Sequence, residues 1–207
     1  SLGIITRAVL RLYPAPLNKI VLFFGVQNFN SALKSYLEIS KKFGQYLQAF
    51  ELISDVGLQF LEETKLVQSS VQRNKSEWHV LMELGFNNSS VEQDVYETLE
   101  DLCNRDMISD VVLGETESKA SKLWKMREDI PEANRKIGAI TSHDISLPLE
   151  NMESFINKSL IEIKKINQFL RVNCFGHMGD GNLHFNVFPP PGESNSNYIA
   201  IKSKLTE

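Results

Sequence analysis

The chain has 207 residues, a net charge of −4, and 42% hydrophobic and 23% charged residues. This composition is typical of an ordinary globular protein with one large domain or two small subdomains. The slight acidity and the lack of a basic run exclude nucleic acid as an expected partner. The longest apolar run, residues 20–26, is far shorter than the roughly 20 residues that span a bilayer.

Targeting and cysteine signals are weak. No signal peptide is visible at the N-terminus, so we expect the cytoplasm or, in a eukaryote, the mitochondrial matrix, with peripheral attachment to a membrane left open. Cys103 and Cys174 stand alone in the sequence, which indicates free, buried thiols rather than a disulfide framework.

The first half of the chain alternates strand and helix patterns. An imperfectly alternating segment, residues 2–12, ends at the prolines of residues 14–16, which read as a linker. Apolar runs predict strands at residues 19–26, 47–53, 78–86 and 110–113, and helical spacing predicts helices at residues 30–43, 55–66 and 91–102. Residues 65–76 read as a polar loop. This order predicts an α+β fold, an antiparallel sheet with helices on one face, built from ferredoxin-like split βαβ repeats.

The second half begins with a helical stripe over residues 118–137 that contains Pro131, so we expect a break near Ile130. Residues 140–147 predict a strand with Ser142, Asp144 and Ser146 on one face and His143 on the other, where we assign it a structural role. Pro148 suits the first turn of the next helix. A last helix is expected to begin at residues 194–197.

Residues 175–186 contain two of the four histidines and an Asp-Gly pair between two apolar runs, which predicts a hairpin with a two-residue turn. With Asp180 and Gly181 as that turn, His177 faces His184, and directly opposed Cβ atoms lie roughly 4.5–5.5 Å apart. Two imidazoles at that distance can share one metal ion, and Asn186 points the same way as His184. The alternative is a surface turn whose imidazoles bond to backbone or water, and the spacing alone leaves both open.

Four motifs in order resemble one family. Residues 177–184 read His-Met-Gly-Asp-Gly-Asn-Leu-His, residues 123–128 read Leu-Trp-Lys-Met-Arg-Glu, and residues 144–148 read Asp-Ile-Ser-Leu-Pro. With residues 1–8, which are similar to the strand that closes the family's flavin domain, they resemble the C-terminal domain of FAD-linked oxidases. That family includes D-lactate and D-2-hydroxyglutarate dehydrogenases and glycolate oxidase subunits. The resemblance implies that residues 1–16 are the last strand of a flavin domain and a linker, and that residues 17–207 are a substrate domain truncated at its C-terminus.

The resemblance also implies a site. Arg127 would grip the substrate carboxylate, as a planar guanidinium does well; the alternative is a solvated arginine or an ion pair with Glu128 or Glu132. His177 and His184 would hold a divalent metal, expected to be zinc, while Asn186 and Ser142 would contact the substrate.

FAD would be bound by an N-terminal domain outside this chain, and the sequence names no flavin-binding residue. The family's third metal ligand and its histidine base come from a Glu-His-Gly stretch that does not occur before Glu207. We therefore expect no catalytic residue in this chain, and we expect the chain alone to be inactive and metal-free.

Many family members carry a lysine where this chain has Ser142. A serine cannot balance a second carboxylate, so the sequence favours D-lactate over D-2-hydroxyglutarate or glycolate as the acid oxidised to its 2-oxo form. The implied partners are a small 2-hydroxy acid and a downstream electron acceptor, with a homodimer left open. The alternatives are a non-catalytic ferredoxin-like binding module and a flavoenzyme acting on an aromatic alcohol or an ether-lipid precursor.

Overall fold

A seven-stranded antiparallel sheet organises the protein in a computed structural model that describes residues 3–67, 76–88 and 90–206. The strands are β1 Asn18–Val26, β2 Leu47–Ser54, β3 Trp78–Phe86, β4 Ser109–Leu113, β5 Thr141–Ser146, β6 Arg171–His177 and β7 Asn182–Phe188, in the order β4-β1-β3-β2-β6-β7-β5. The helices are α1 Phe29–Phe43, α2 Asp55–Glu63, α3 Ser90–Asn104, α4 Glu117–Glu128, α5 Ile130–Ile137 and α6 Leu149–Ile166.

The predicted split βαβ repeats are confirmed. Strands β1 and β2 are joined through α1 and lie on either side of β3, and β3 and β4 are joined through α3 and lie on either side of β1. Together they form the ferredoxin-like order β4-β1-β3-β2. A further unit follows the same rule, since β5 and β6, joined through α6, flank β7 and pair with it antiparallel.

Local signals place the helix ends close to their predicted positions. The side chain of Asn28 accepts a hydrogen bond of 2.9 Å from the N–H of Ser31 and caps α1, and the hydroxyl of Thr116 caps α4 through the N–H of Lys119. Pro131 stands in the first turn of α5, where its missing N–H costs nothing. The break expected near Ile130 therefore separates α4 from α5.

The placement of helices on one face of the sheet was wrong. One core packs α1, α3 and α6 against a face that includes Leu22 and Phe24 of β1, and a second core packs α2, α4 and α5 against the face of Val21 and Phe23. Contiguous apolar residues bury a strand on both sides, so the run in β1 already required two covered faces.

The chain termini differ from the regular elements predicted for them. No strand forms within residues 3–16 of the described chain, and their large apolar side chains are exposed. A strand needs a hydrogen-bonded neighbour, so the assignment of residues 1–16 to a flavin domain stays a prediction. The helix expected near residue 195 is a pair of short 3-10 turns, Asn195–Ile201 and Ser203–Leu205. Residues 68–75 of the predicted loop lie outside the described residues.

Candidate functional site

The turn of the β6–β7 hairpin is longer than the two residues predicted. His184 lies opposite Phe175, not opposite His177, and the turn is a 3-10 segment, Met178–Asp180, followed by Gly181 in the left-handed region at φ 68°. The observed register differs from the predicted one by two residues, and side chains alternate faces with a period of two. His177 and His184 therefore still lie on the same face.

The two imidazoles are close and similarly held. Their ring centroids are 6.4 Å apart. Nδ1 of His177 bonds to Glu51 Oε1 at 2.5 Å, and Nδ1 of His184 bonds to Asp144. A carboxylate on Nδ1 favours the tautomer with a lone pair on Nε2, and no described residue bonds to either Nε2. The arrangement thus presents two oriented imidazole nitrogens on one face.

Glu51 joins this pair to the predicted carboxylate-binding arginine. Its Oε2 accepts a hydrogen bond from Arg127 Nε at 2.9 Å and lies 2.8 Å from Nη2 in the same ion pair. Glu51 is 3% exposed and Arg127 7% exposed. The guanidinium also lies over the ring of Phe175, 4.8 Å from its centroid, and that ring contacts His184 with a centroid separation of 4.8 Å. Arg127 therefore belongs to the same cluster as both histidines, and neither Glu128 nor Glu132 is its partner.

A cavity of about 520 Å³ opens beside His184. Its lining residues come from α5 and the segment after it, from β5, and from β6 and β7: Pro131, Asn134, Arg135, Ala139, Ser142, His143, Asp144, Phe175, His184 and Asn186. Ser142 lies directly opposite Asn186 in the β5–β7 pair. The structure thus brings the two predicted substrate contacts, Ser142 and Asn186, into the cavity that His184 lines.

The side chain of His143 alternates with those of Ser142 and Asp144 and so points to the other face of the sheet, as Phe185 opposite it does, although the residue also borders the cavity. Its Nε2 atom is buried and has no hydrogen-bond partner among the described residues.

Sequence reasoning missed the two carboxylates that hold the imidazoles. Glu51 stands between Phe50 and Leu52 in the buried part of β2, and a charged residue in a buried stretch of strand is itself a signal of a partner. Asp144 was placed on the correct face, without its role as the partner of His184.

A complete metal centre is not formed within residues 3–67, 76–88 and 90–206. Among them, no three or more His, Cys, Asp or Glu side chains converge in a way that could hold a metal ion. The same residues contain no helix with the length and apolarity to cross a membrane.

The described residues thus combine an antiparallel sheet with a carboxylate-held histidine pair, a buried arginine and an adjoining cavity. Residues 15–200 match the family described as FAD linked oxidases, C-terminal domain, and the chain belongs to that family.

Curated relatives share the chain's sequence over most of its length. A mitochondrial protein of Schizosaccharomyces pombe that bears the provisional name D-lactate dehydrogenase is 34% identical, over 90% of this chain and 37% of its own length. The mitochondrial D-2-hydroxyglutarate dehydrogenase of Arabidopsis thaliana is 26% identical, over 90% of this chain and 33% of its own. The chain thus spans about a third of the length of these relatives.

Solved structures share the fold. Alkyldihydroxyacetonephosphate synthase superposes with a TM-score of 0.57 at 10% identity, over 94% of this chain and 40% of its own. p-Cresol methylhydroxylase with substrate bound gives a TM-score of 0.57 at 11% identity, over 93% of this chain and 43% of its own. At such identities the likeness shows the architecture alone.

Proposed function

We propose that this chain is the substrate domain of a longer FAD-dependent dehydrogenase that oxidises a D-2-hydroxy acid to the 2-oxo acid. A flavin domain would precede residue 1, residues 1–16 would link the two, and further site residues would follow Glu207. On this proposal the chain alone is inactive.

One observation carries the proposal. His177 and His184 lie on the same face with their Nδ1 atoms held by Glu51 and Asp144, which fixes the rings and leaves each Nε2 as a lone-pair donor. Carboxylate-held imidazoles are the usual form of histidines that bind a divalent cation. They also suit a substrate hydroxyl, whose O–H can donate a hydrogen bond to an unprotonated imidazole nitrogen.

The arrangement supplies two ligands of a cation centre. His177 and His184 would hold the metal, and the further ligands would come from residues outside this chain. When bound, a divalent cation supplies Lewis acidity that lowers the pKa of a substrate hydroxyl, and the flavin supplies the acceptor for hydride.

Arg127 would orient the acid. Its Nε atom donates to Glu51 Oε2 and its Nη2 atom lies 2.8 Å from the same oxygen. The remaining nitrogen of the guanidinium, Nη1, would bind the substrate carboxylate. The shared Glu51 places the carboxylate-binding group and His177 in a fixed relation, and fixed relations between binding groups lower the entropic cost of reaching the transition state.

D-Lactate is the substrate that we favour over D-2-hydroxyglutarate and glycolate. Ser142 and Asn186, which lie side by side in the cavity, offer neutral hydrogen bonds and no charge for a second carboxylate. The relative from Schizosaccharomyces pombe bears the D-lactate dehydrogenase name, and relatives named for D-2-hydroxyglutarate make that acid the competing candidate. Both relatives carry a mitochondrial name, so we place the enzyme in mitochondria, passing electrons to an acceptor there.

The test uses the full-length protein with its flavin bound. Reduction of dichlorophenol-indophenol is measured with D-lactate, D-2-hydroxyglutarate and glycolate, for the wild type and for His177→Ala and His184→Ala, together with the metal content of each. We expect turnover of D-lactate to be fastest, and we expect both variants to lose activity and bound metal together while retaining their flavin. Full activity in His177→Ala would remove the metal role, and no turnover of any 2-hydroxy acid would favour a non-catalytic binding module.

A further inference from the structure

Helix α5 forms one wall of the cavity, and this wall carries the largely buried carboxamide of Asn134. Asn134 lines the cavity that His184 also lines, and it is 8% exposed. A polar side chain buried to this degree normally has all of its hydrogen bonds made. Its carboxamide nitrogen, Nδ2, donates to no group in the described part of the chain.

A chain of hydrogen bonds fixes which end of this amide faces the cavity. The N–H of Cys174 donates to Ser54 Oγ at 3.2 Å, the hydroxyl of Ser54 donates to Asn173 Oδ1 at 2.9 Å, and Asn173 Nδ2 donates to Asn134 Oδ1 at 2.8 Å. The Ser54 hydroxyl, which accepts from the backbone N–H, donates its own hydrogen to Asn173 Oδ1, and this arrangement leaves Asn173 Nδ2 as the donor to Asn134. Asn173 is fully buried, and water cannot replace its partners.

This network leaves only the donor end of the Asn134 carboxamide for the cavity. Since Asn134 Oδ1 is occupied by Asn173, the group left for the cavity is the Nδ2 amino group. Nδ2 is not among the fully buried side-chain atoms without a partner in the described residues, so it is open to the cavity, where a bound molecule with an oxygen atom in the right place would accept its hydrogen bond. The α5 wall is thus built to contact an oxygen of a ligand.

The position of this wall relative to the other binding groups indicates which oxygen. On the proposed function, Arg127 takes the carboxylate of a 2-hydroxy acid and the two histidines take its hydroxyl end. The substituent on the same carbon is the part of the acid that remains to face α5.

The charged side chains at this wall already have partners. Arg135 donates to both carboxylate oxygens of Glu132, at 2.8 and 2.7 Å, and Asp144 bonds to His184. A second substrate carboxylate would lose its hydration here without gaining a free cation among the described lining residues, which is unfavourable. A neutral oxygen atom would lose far less hydration free energy in the same place.

We propose that Asn134 is a specificity-determining residue that donates a hydrogen bond to a neutral oxygen on the substituent of the 2-hydroxy acid. The preferred substrate class is then a 2-hydroxy acid with a hydroxyl or carbonyl oxygen on its third carbon. Asn173 and Ser54 are positioning residues that hold the amide in this orientation. This inference rests on the proposed function.

The role of Asn134 can be tested with D-glycerate and D-lactate, because these acids differ only in a hydroxyl on the third carbon. With the full-length flavoprotein we expect kcat/KM for D-glycerate to exceed that for D-lactate by about tenfold, the effect of one net hydrogen bond. Asn134→Leu keeps the size and removes the donor, and Asn134→Asp keeps the acceptor for Asn173 while replacing the donor by an oxygen. Both variants should lose the preference, so that the ratio of kcat/KM for D-glycerate to that for D-lactate falls to about one.

Two further measurements separate this role from a structural one. Binding of hydroxypyruvate and pyruvate to the oxidised enzyme, measured by calorimetry without turnover, should show the same preference in the wild type and its loss in both variants. Asn173→Asp removes the donor to Asn134 Oδ1, so the carboxamide of Asn134 should rotate and point its oxygen into the cavity. The preference for hydroxypyruvate and D-glycerate should then vanish although Asn134 itself is unchanged. Asn157→Leu, an exposed position on α6, is the matched control and should leave both ratios unchanged.

The outcomes are distinct. Equal kcat/KM for the two acids in the wild type, or an unchanged ratio in Asn134→Leu and Asn134→Asp, would overturn the role of Asn134 while the dehydrogenase activity stands. Failure of both acids to reduce the flavin would instead overturn the proposed function.

Discussion

The two carboxylate oxygens of Glu51 bind two different groups, a guanidinium and an imidazole. Oε2 neutralises the guanidinium of Arg127, and Oε1 holds Nδ1 of His177. A buried ion pair adds little net stability when it forms, but removal of one partner leaves an uncompensated charge in a poorly solvated place. Glu51 is therefore both a stability element and the link that sets the positions of Arg127 and His177 in the candidate site.

Glu51→Gln tests the stability part of that role. The substitution keeps the size and leaves Arg127 charged without its counterion, so we expect a loss of about 3 kcal/mol in the free energy of unfolding, measured by urea denaturation. Glu38→Gln is the matched control, because Glu38 also pairs with an arginine, Arg105, but the two side chains are 41% and 42% exposed. That pair should contribute less than about 1 kcal/mol. Equal losses in the two variants would contradict the importance of burial.

Burial also controls the chemistry of the cysteines. Desolvation raises the pKa of the Cys174 thiol well above its usual range, and it raises the pKa of the half-buried Cys103 thiol to a lesser degree. The thiolate is the reactive form. We expect iodoacetamide at pH 8 to modify Cys103 slowly and Cys174 only after unfolding, as read by mass spectrometry of the two peptides. Modification of both thiols at one rate in the native protein would show that Cys174 is accessible.

At the scale of single residues, the sequence led to the histidines, to Arg127, and to Ser142 and Asn186, because their types and motifs carry chemical information. It did not lead to Glu51, because a carboxylate's partner is decided by which strand lies beside it. Glu51 lies opposite His177 across β2 and β6, strands separated by more than 110 residues of chain. No local pattern encodes that neighbour.

At the scale of elements, the β6–β7 turn is where local reasoning failed in detail. The Asp-Gly pair does lie in the turn, and Gly181 does have a positive φ. The two-residue turn was wrong because Gly181 N–H closes a 3-10 turn on Met178 O and Gly181 O accepts from the N–H of Leu147. The tertiary contact with the end of β5 selects the longer turn.

Gly181→Ala should therefore be more damaging than its backbone angle alone requires. A Cβ at residue 181 would lie 2.3 Å from the carbonyl oxygen of Leu147, whereas one at Gly192, with φ 80°, would meet nothing within 4 Å. Both substitutions carry the strain of a non-glycine residue at positive φ, about 1 kcal/mol. We expect Gly192→Ala to cost that amount in thermal unfolding and Gly181→Ala to cost at least twice as much. Equal costs would mean that the turn can move away from Leu147.

The docking of α2 on β6 depends on a second glycine. A Cβ at Gly57 would lie 2.9 Å from Asn173 Oδ1, the atom that accepts from Ser54. We expect Gly57→Ala to destabilise the wild type by about 1 kcal/mol despite the better helix propensity of alanine, and to stabilise an Asn173→Ala background in which the clash is absent. A double-mutant cycle by urea denaturation measures this coupling. Additive effects would show that Asn173 yields without cost.

The helices and strands themselves were largely predictable, because long apolar stripes at clear spacing are strong signals. The distribution of helices over two faces was not predicted, since each helix shows only that it has one buried side. Which face of the sheet it covers depends on the handedness and order of the connections, and these emerge from the assembled sheet.

At the scale of the whole molecule, the sheet consists of two parts. The ferredoxin-like order β4-β1-β3-β2 is joined to β6-β7-β5 through the pairing of β2 with β6, which has three registered pairs: Glu51 with His177, Leu52 with Gly176, and Ile53 with Phe175. In contrast, β1 and β3 pair over nine positions. The candidate site lies across the shorter junction, because Glu51 and Arg127 sit on one side and both histidines on the other.

This division predicts unequal stability within one fold. Amides of β1 and β3, which lie between neighbouring strands and beneath helices on both faces, should exchange with solvent only through global unfolding. Amides of the edge strand β5 and of the β6–β7 hairpin should exchange through a smaller opening of lower free energy, seen as a weaker denaturant dependence in native-state hydrogen exchange. Because Glu51 connects the two parts, Glu51→Gln should lower the opening free energy of β5, β6 and β7 by more than that of β1 and β3. Uniform protection across all seven strands, or a uniform loss in the variant, would mean that the sheet opens as one unit and that the site is assembled whenever the protein is folded.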